Sequence, residues 1–423
     1  MKIIDKKVLI ISHNPLSKVS NNGKTLASIF EGVAKENIYQ IYLNSDIPDY
    51  SKDCHYLQIN EKQILSSLVT MKNLCCEEVN VTPNKVFSAT IKMGTFAIHT
   101  KRLIRELIWK ICIWKPKLSA WLQDKKFDVV FFMAGDGLFA YDIYRFVLEH
   151  TSTNGCLFFT DDYLIGKTSS APVAWFRRHL LMRKVLKTLI ITKKLFVISE
   201  EMKDAYQVLF GREGYVIRNF SVEKKTVVRN DLKIDEPHSL KMVYAGGLHY
   251  NRWKVLAKIS KVLKRINDSG DIKCYLSIYS AQNIAKEIID EISLENASMF
   301  CGSVSGEQIA DIYADADILV HVESFEKKAI ASTKYSFSTK IPEYLSAGKA
   351  VLAVGPAEVA SIQYLLDFAC VICDDLKLNE MIEKLIHDEV YRSVIKSNCE
   401  QRYDKDFSIE KQKECLNYIL SDY

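Results

Sequence analysis

Short, fully apolar runs alternate with helical patterns along this chain, and this alternation constrains the fold more than any other feature. One such run is Val8–Ser12, and two later ones are Ile318–Val322 and Ala350–Val354. Continuous apolar runs of this length are typical of strands that are buried on both faces of a parallel sheet. Strands separated by helices predict an α/β chain with doubly wound sheets, whose ligands bind at the carboxyl ends of the strands.

The alternation occurs twice, with a break between the two series. The chain has 423 residues, which is too many for one ordinary domain. Residues 219–240 lose the hydrophobic pattern and gain charge, as a linker does. We therefore predict a first domain at 1–218, a second at 241–405 and a terminal helix at 406–423.

Composition argues against several classes of protein. The 11 cysteines are scattered, so reduced thiols are the simplest account, and we expect a cytoplasmic protein. No run reaches the roughly 18 apolar residues of a membrane span, and the apolar run near residue 8 is short for a signal sequence. A net charge of +5 is too small to predict nucleic-acid binding.

Positive charge is concentrated in two segments. Residues 99–126 mix lysine and arginine with Trp109, Trp114 and Trp121, and residues 171–194 carry seven Lys or Arg and no acidic residue. Cations interleaved with tryptophan on helices suit an anionic membrane surface, so we expect peripheral attachment to the inner face of the cell membrane. The alternative is two solvated helix faces with tryptophans in the core.

Between the strands Ile318–Val322 and Ala350–Val354 the pattern predicts a helix. It starts near Ser338 or Thr339 and ends at Gly348. Either hydroxyl can cap the helix, and the amide hydrogens of the first turn then carry a partial positive charge that suits a phosphate.

Lys340 and Glu343 lie at the start of that helix. A carboxylate beside an anion site suits sugar hydroxyls, because it accepts two hydrogen bonds at once. The predicted ligand is therefore a nucleoside diphosphate that carries ribose. The alternative is an ordinary helix cap with a surface Lys/Glu pair.

A second candidate site follows the first strand of the second series. Gly246 and Gly247 end that strand, and Arg252 and Lys254 come just before a helix. Two cations there can neutralise the charge that develops on a leaving diphosphate. Two merely solvated cations are the alternative, which is unfavourable because cations oppose the helix dipole at this end.

Polar residues after strands of the first series predict a site for an acceptor or for a cleft ligand. They are Asn22 and Gly23, in the predicted loop after the first strand, and Asp136, Asp161 and Asp162. A helix cap is the alternative role for each aspartate. The sequence Gly23-Lys24-Thr25 also closes a P-loop motif, but Lys18 stands where that motif has its first glycine, which argues against an NTPase.

The helix and strand after Lys340 resemble the nucleotide-sugar motif of the retaining glycosyltransferase family four, also called group 1. The matching residues are Glu343, Tyr344, Leu345, Gly348, Val351 and Leu352. This resemblance implies a GT-B fold, in which two Rossmann-like domains face each other across a cleft. It implies an acceptor-binding first domain, a second domain that binds the nucleotide sugar, and a last helix that crosses back to the first domain.

The resemblance also implies roles for carboxylates. Glu343 would bind the ribose. The family holds the donor sugar with a second glutamate eight residues earlier, where this chain has Tyr335. Glu323 and Glu326, just past the strand Ile318–Val322, are the candidate substitutes.

The glycine loop resembles the phosphate-binding loop of the same family. Lys254 matches the family's lysine, whereas Leu248 replaces its arginine, so that Arg252 is the candidate for that role. Both cations would stabilise the leaving diphosphate. Asp315-Ala316-Asp317 has the D-x-D spacing of metal-dependent glycosyltransferases of another fold, but Asp317 only begins a strand, and we expect no metal site and no cofactor.

Together these features predict a hexosyltransferase that moves a sugar from a nucleotide-diphosphate sugar to a sugar or lipid-linked acceptor. The resemblance implies retention of configuration and a role in capsule, O-antigen or other surface polysaccharide synthesis. One alternative is a nucleotide-sugar 2-epimerase of the same fold. The other is a catalytically idle GT-B partner subunit, suggested by Tyr335 and Leu248 at family positions.

Overall fold

A computed structural model describes residues 4–18, 21–64, 76–79, 95–111, 114–166, 172–220, 239–270 and 272–421. The chain forms two compact units. The first comprises Met1–Asn219 with Gln412–Tyr423, and the second comprises Phe220–Lys411. Most of the predicted linker, at 221–238, lies outside the described residues, so the linker stays a prediction.

The first unit contains an eight-stranded sheet. Its strands are β1 (Val8–Ser12), β2 (Ile38–Tyr42), β3 (His55–Gln58), β4 (Glu77–Glu78), β5 (Val129–Ala134), β6 (Asn154–Phe159), β7 (Lys194–Val197) and β8 (Tyr215–Val216). Their order is β4-β3-β2-β1-β5-β6-β7-β8, and every neighbouring pair is parallel except β3 and β4. All residues of the central strands β1 and β5 are buried, as their apolar sequences require.

The helices of the first unit include one from the end of the chain. They are Asn21–Ile29, Thr95–Ile111, Lys115–Leu122, Leu138–Thr151, Pro172–Ile191, Glu200–Phe210 and most of Ile409–Leu420. Lys194 and Lys6 hold the last of these helices, because their ammonium groups donate to the carbonyls of Tyr418 at 2.5 Å and Leu420 at 3.0 Å. Among the described helices, none is long and apolar enough to cross a membrane.

The second unit contains a six-stranded sheet that is parallel throughout. Its strands are β9 (Ser239–Ala245), β10 (Lys273–Tyr279), β11 (Ser298–Gly302), β12 (Ile318–Val322), β13 (Ala350–Val354) and β14 (Cys370–Ile372), in the order β11-β10-β9-β12-β13-β14. The strands β12 and β13 have the predicted bounds and are buried along their whole length. The prediction of an α/β chain with two parallel sheets is confirmed.

Helices connect consecutive strands of this second sheet. They are Arg252–Ser269, Lys286–Ile292, Gly306–Asp315, Lys327–Thr333, Lys340–Ser346 and Ala360–Leu365. Two further helices, Leu378–His387 and Glu389–Asp406, follow the last strand. Because all the strands are parallel, the residues that follow β9, β12 and β13 meet at one edge of the sheet.

Candidate functional site

The carboxyl edge of the second sheet brings several predicted donor-binding residues together. Gly246 and Gly247 follow β9, and Glu323 follows β12, which is paired with β9. Lys340 opens the helix before β13, and a Cβ atom on Gly246 would lie 2.8 Å from its Cε and Nζ. The absence of a side chain at Gly246 therefore makes room for the ammonium group of Lys340.

Arg252 is held by Glu323 in a buried, bidentate ion pair. Nη2 of Arg252 donates to both carboxylate oxygens of Glu323, each at 2.9 Å, and Nε donates to Oε2 at 3.1 Å. The two side chains are only 14% and 4% exposed. Such a fork geometry fixes the direction of the guanidinium. Glu323 thus orients Arg252 here, and its role toward a donor sugar stays a prediction.

One cation at this edge has no ion-pair partner in the described residues. Burial raises the pKa of Glu323, and the cations of Arg252 and Lys340 oppose that rise. Burial and the nearby Arg252 cation lower the pKa of Lys340, against the effect of Glu323 and Glu343. Within the described residues the Lys340 ammonium makes no ion pair or hydrogen bond. Lys340 is thus an unpaired cation beside the paired Arg252 and Glu323, and an anionic ligand would complete the cluster.

Lys254 and Glu326 form a separate pair at the surface. Nζ of Lys254 lies 2.7 Å from Oε1 of Glu326, and the side chains are 49% and 45% exposed. Asn251 donates from Nδ2 to the other carboxylate oxygen at 2.8 Å. The two cations of the predicted clamp, Arg252 and Lys254, therefore have different partners and different burial.

The start of the helix Lys340–Ser346 differs from its prediction. The N-cap residue Thr339 has helical backbone angles and makes no side-chain capping hydrogen bond, so a hydroxyl cap by Thr339 is wrong. The N–H of Ser338 donates to Oγ of Ser361 at 2.9 Å and is thereby satisfied. Glu343 is half-buried in the first turn. The positive charge that this segment offers a ligand is mainly that of Lys340.

His321 lies beside these charges, and sequence reasoning missed it. It is buried in β12, and its Nε2 is 3.6 Å from Oε1 of Glu323, with no hydrogen-bond partner in the described part of the chain. Burial, Arg252 and Lys340 lower the pKa of His321 to about 3, so the ring is neutral near pH 7. The sequence signal for His321 is that it is the single polar residue in the otherwise apolar run Ile318–Val322.

In the first unit, Asp136 follows β5 and faces three arginines. Its carboxylate lies 2.8 Å from Nη1 of Arg102, 3.2 Å from Nη1 of Arg177 and 3.9 Å from Nη2 of Arg105. Burial acts to raise the pKa of Asp136, but Arg177, Arg102 and Arg105 outweigh it and lower the pKa. Asp136 is thus embedded in an ion-pair network.

Glu106, and not Asp136, caps the helix Leu138–Thr151. A helix cap was the alternative role predicted for Asp136. The buried carboxylate of Glu106 accepts the N–H groups of Leu138 at 2.9 Å and Phe139 at 3.2 Å. It also lies 4.0 Å from Nη2 of Arg177. The helix Leu138–Thr151 therefore begins on a carboxylate from another helix, which stabilises its first turn.

The other predicted residues of the first unit have structural contacts. Asp162 anchors a loop, since its carboxylate accepts the N–H groups of Leu164 and Ile165, each at 2.9 Å, and Gly166 at 2.5 Å. Asp161 accepts the hydroxyl of Tyr163 at 3.4 Å. These contacts do not exclude ligand binding, and the acceptor site stays a prediction.

The placement of Asn22 and Gly23 in a loop is wrong, because the helix Asn21–Ile29 includes both. A Cβ atom on Gly23 would lie 2.3 Å from the carbonyl oxygen of Pro15. Gly23 therefore lets the segment after β1 pack against this helix.

The absence of a metal site stays a prediction for this structure. In the ranges it describes, no three or more His, Cys, Asp or Glu side chains are placed to hold a metal ion. Lys241 contacts both aspartates of the D-x-D sequence. Its Nζ lies 2.7 Å from Asp315, and its N–H donates to Asp317 at 2.9 Å. Metal-independent chemistry stays a prediction.

The two basic segments differ in where their aromatic residues lie. Trp109, Trp114 and Trp121 are 2%, 5% and 9% exposed, so the alternative of tryptophans in the core is confirmed for the first segment and a membrane-facing role for them is wrong. In the helix Pro172–Ile191, by contrast, Trp175 is 67% exposed and Ile190 is 83% exposed. The exposed aromatic surface therefore lies in the second segment, while the first segment exposes the aliphatic residues Ile104, Leu107 and Ile111.

No model of a known protein family matches the sequence, and no curated protein sequence matches it. Solved structures match along nearly the whole chain. HepE from Anabaena, solved with UDP, has a TM-score of 0.63 and 13% identity, and the match covers 99% of this chain and 100% of HepE. HepE was also solved with UDP-glucose, with a TM-score of 0.59 and 14% identity over 99% of this chain and 100% of HepE.

A synthase gives a similar match. Sucrose-phosphate synthase from Thermosynechococcus elongatus has a TM-score of 0.62 and 10% identity over 98% of both chains. The fold of this chain is therefore GT-B, as the resemblance implied. At these identities the likeness shows the fold alone.

Proposed function

We propose that this protein is a glycosyltransferase that moves a sugar from a nucleotide-diphosphate sugar to a sugar or lipid-linked acceptor. The observation that carries the proposal is the cluster beside Gly246, where Arg252 is fixed by the buried carboxylate of Glu323 and Lys340 makes no ion pair in the described residues. A diphosphate would supply an anionic partner for Lys340. The UDP and UDP-glucose complexes of HepE, a protein of the same fold, support this class of donor.

The geometry suits stabilisation of a leaving group. When the bond to the sugar breaks, negative charge increases on the diphosphate, and cations that are already in place stabilise it without reorganisation. Arg252 is fixed by its bidentate contact with Glu323. Lys340 brings a second cation, and Glu343 can accept hydrogen bonds from ribose hydroxyls. The leaving oxygen would then take the acceptor proton, with retention of configuration as in glycosyltransferase family four.

We place this reaction in surface polysaccharide synthesis at the inner face of the cell membrane. The helix Pro172–Ile191 supports that placement, because it exposes Trp175 and Ile190 and contains no acidic residue. Exposed apolar side chains among cations favour an anionic bilayer. Flotation with vesicles of phosphatidylglycerol or of phosphatidylcholine alone tests the attachment, and equal recovery with both would contradict it.

The activity is tested with the full chain and a panel of nucleotide sugars, ranked first by thermal shift. Mass spectrometry then follows donor consumption with and without membrane lipid extracts. Sugar transfer or donor hydrolysis supports the proposal. Isomerisation of the donor without an acceptor would identify an epimerase, and failure of every nucleotide sugar to bind or react would indicate an idle partner subunit.

A further inference from the structure

A groove lies between four helices of the first unit, Thr95–Ile111, Lys115–Leu122, Leu138–Thr151 and Pro172–Ile191. Its volume is about 570 Å³. Apolar and aromatic side chains line part of it, namely Trp109, Trp114, Leu138, Phe139, Phe146 and Leu180. Trp109 stacks on Phe139 with ring centroids 4.0 Å apart, which makes that part of the lining flat and rigid. The groove thus combines an apolar lining with a depth that a flat helix surface does not have.

The remaining lining residues are charged, with six cations against three carboxylates. The cations are Lys110, Lys115, Arg145, Arg183, Lys184 and Lys187, and the carboxylates are Glu106, Asp142 and Glu149. Two of the carboxylates are already engaged, because Glu106 caps a helix and Asp142 is paired with Lys184. The groove is therefore positively charged after its internal pairs are satisfied.

Two buried donors in the lining also lack acceptors. In the part of the chain that the structure describes, neither Nε1 of Trp109 nor Nε of Arg145 has a hydrogen-bond partner. A buried donor without an acceptor is costly, and a phosphate oxygen bound to the Arg145 guanidinium would reduce that cost.

We propose that this groove binds one anionic phospholipid of the membrane, with its phosphate against Arg145, Arg183 and Lys187 and an acyl chain along the lining of Trp109 and Phe139. The inference rests on the proposed membrane attachment and names a specific lipid site within it. Attachment to a bilayer surface would explain the exposed cations of this region. It would not explain an apolar groove whose lining contains buried donors without acceptors. Charge complementarity selects an anionic lipid over a neutral one.

The test measures tryptophan fluorescence of the full chain in a Trp175→Phe background, which removes the exposed tryptophan of this region. The probe is phosphatidylglycerol with brominated acyl chains in phosphatidylcholine vesicles, because bromine quenches only tryptophans in close contact. We expect quenching, and we expect a further Trp109→Phe change to remove much of it. Arg145→Gln with Arg183→Gln should raise the lipid concentration for half-maximal quenching about tenfold or more. Lys52→Gln with Lys62→Gln, which removes two exposed cations outside the groove, should have little effect.

Flotation of the same samples separates this inference from the attachment itself. Flotation with anionic vesicles but no quenching of Trp109 would overturn the groove site and leave the attachment standing. Equal quenching by brominated phosphatidylcholine would also overturn it, as would full protection by inorganic phosphate, since a simple anion site would then suffice. Leu180→Glu tests the apolar lining separately, and unchanged quenching in that variant would contradict the path of the acyl chain. Circular dichroism confirms that each variant is folded.

Discussion

Each unit places arginine against a carboxylate at the carboxyl edge of its sheet, but the two clusters differ in how their cations are paired. In the first unit each of three arginines lies within 4.0 Å of a carboxylate, that of Asp136, Glu106 or Glu61. In the second unit Arg252 is paired with Glu323, whereas Lys340 makes no ion pair in the described residues. A fully paired cluster mainly fixes structure, whereas an unpaired cation is available to a ligand. Stability should therefore depend on the first cluster and ligand binding on the second.

The largest effect should come from Arg177→Ala. Arg177 is buried and contacts both Asp136 and Glu106, so its removal leaves buried negative charge with fewer partners. Breaking a buried pair in this way costs about 3–5 kcal/mol, and the lower end applies because Arg102 still reaches Asp136. Urea unfolding followed by circular dichroism measures the loss.

Arg102→Ala is the matched control, because it removes a cation from the same carboxylate. The Arg102 side chain is 41% exposed, so this change should cost about 1 kcal/mol or less. Equal losses for the two variants would show that burial does not decide the role of this cluster.

In the second cluster, Arg252→Ala should act on turnover. We expect the turnover number to fall by about 10²-fold or more, the scale for losing one preorganised electrostatic donor. The Michaelis constant for the donor should change much less, because the charge matters most as the bond to the sugar breaks. Steady-state kinetics with the donor identified in the nucleotide-sugar panel measure both constants.

Lys254→Ala tests whether the two cations contribute equally to the turnover number. Lys254 is half-exposed and paired with Glu326, whereas Arg252 is buried against Glu323. The sequence alone predicts similar losses for both cations, and the structure predicts the larger loss for Arg252. A wild-type turnover number for Arg252→Ala would remove Arg252 from the mechanism.

The second cluster and its sheet also show which features of the fold and the site could be predicted from the sequence. Continuous apolar runs gave the bounds of β12 and β13, because burial on both faces requires an apolar residue at every position. The sequence predicts Arg252 and Glu323 separately as site residues. Their pairing could not be predicted, because it joins residues 71 positions apart and depends on the order of the strands. The short strand His55–Gln58 lies in a region whose sequence gave no pattern.

The role of Lys340 could be predicted from the sequence only in part. Its position beside Gly246 follows from the packing of the helix against the end of β9, and local pattern carries no information on that contact. The same limit applies to the predicted hydroxyl cap by Ser338 or Thr339, since cap preference is local and the contact of Ser338 with Ser361 is not.

Lys340→Met should separate binding from stability. It removes a buried ammonium that makes no ion pair in the described residues, so the free energy of unfolding should stay unchanged or rise. Affinity for the free nucleoside diphosphate should fall by about 1.5–3 kcal/mol, the value of a hydrogen bond to a charged group. Isothermal titration calorimetry and urea unfolding measure the two quantities.

Lys334→Met is the control for Lys340→Met, because Lys334 is exposed and precedes the same helix. It should leave both quantities near their wild-type values. A loss of stability in Lys340→Met as large as that of Arg177→Ala would mean that the second cluster is as structural as the first.

The smallest effect should be an opposite response of the two clusters to acid. The pKa of Asp136 is lowered from 3.8, so its charged form stabilises the first unit above pH 3.8, and that contribution is lost as the pH falls toward the lowered value. The pKa of Glu323 is raised from 4.5, so its contribution to the second unit grows as the pH falls through the raised value and is complete below 4.5. Hydrogen exchange with mass spectrometry, corrected for intrinsic rates, follows peptides from β5 and β12 separately. His321 in β12 opposes this rise, because its pKa is lowered from 6.5 to about 3 and the buried neutral ring costs stability as the pH falls below 6.5. The effect of each carboxylate is therefore measured as the difference between the wild type and its own variant. Relative to Glu323→Gln, protection in β12 should rise between neutral pH and 4.5, and relative to Asp136→Asn, protection in β5 should fall below pH 3.8. A difference of the opposite sign in β12 above pH 4.5 would contradict the electrostatic difference between the clusters.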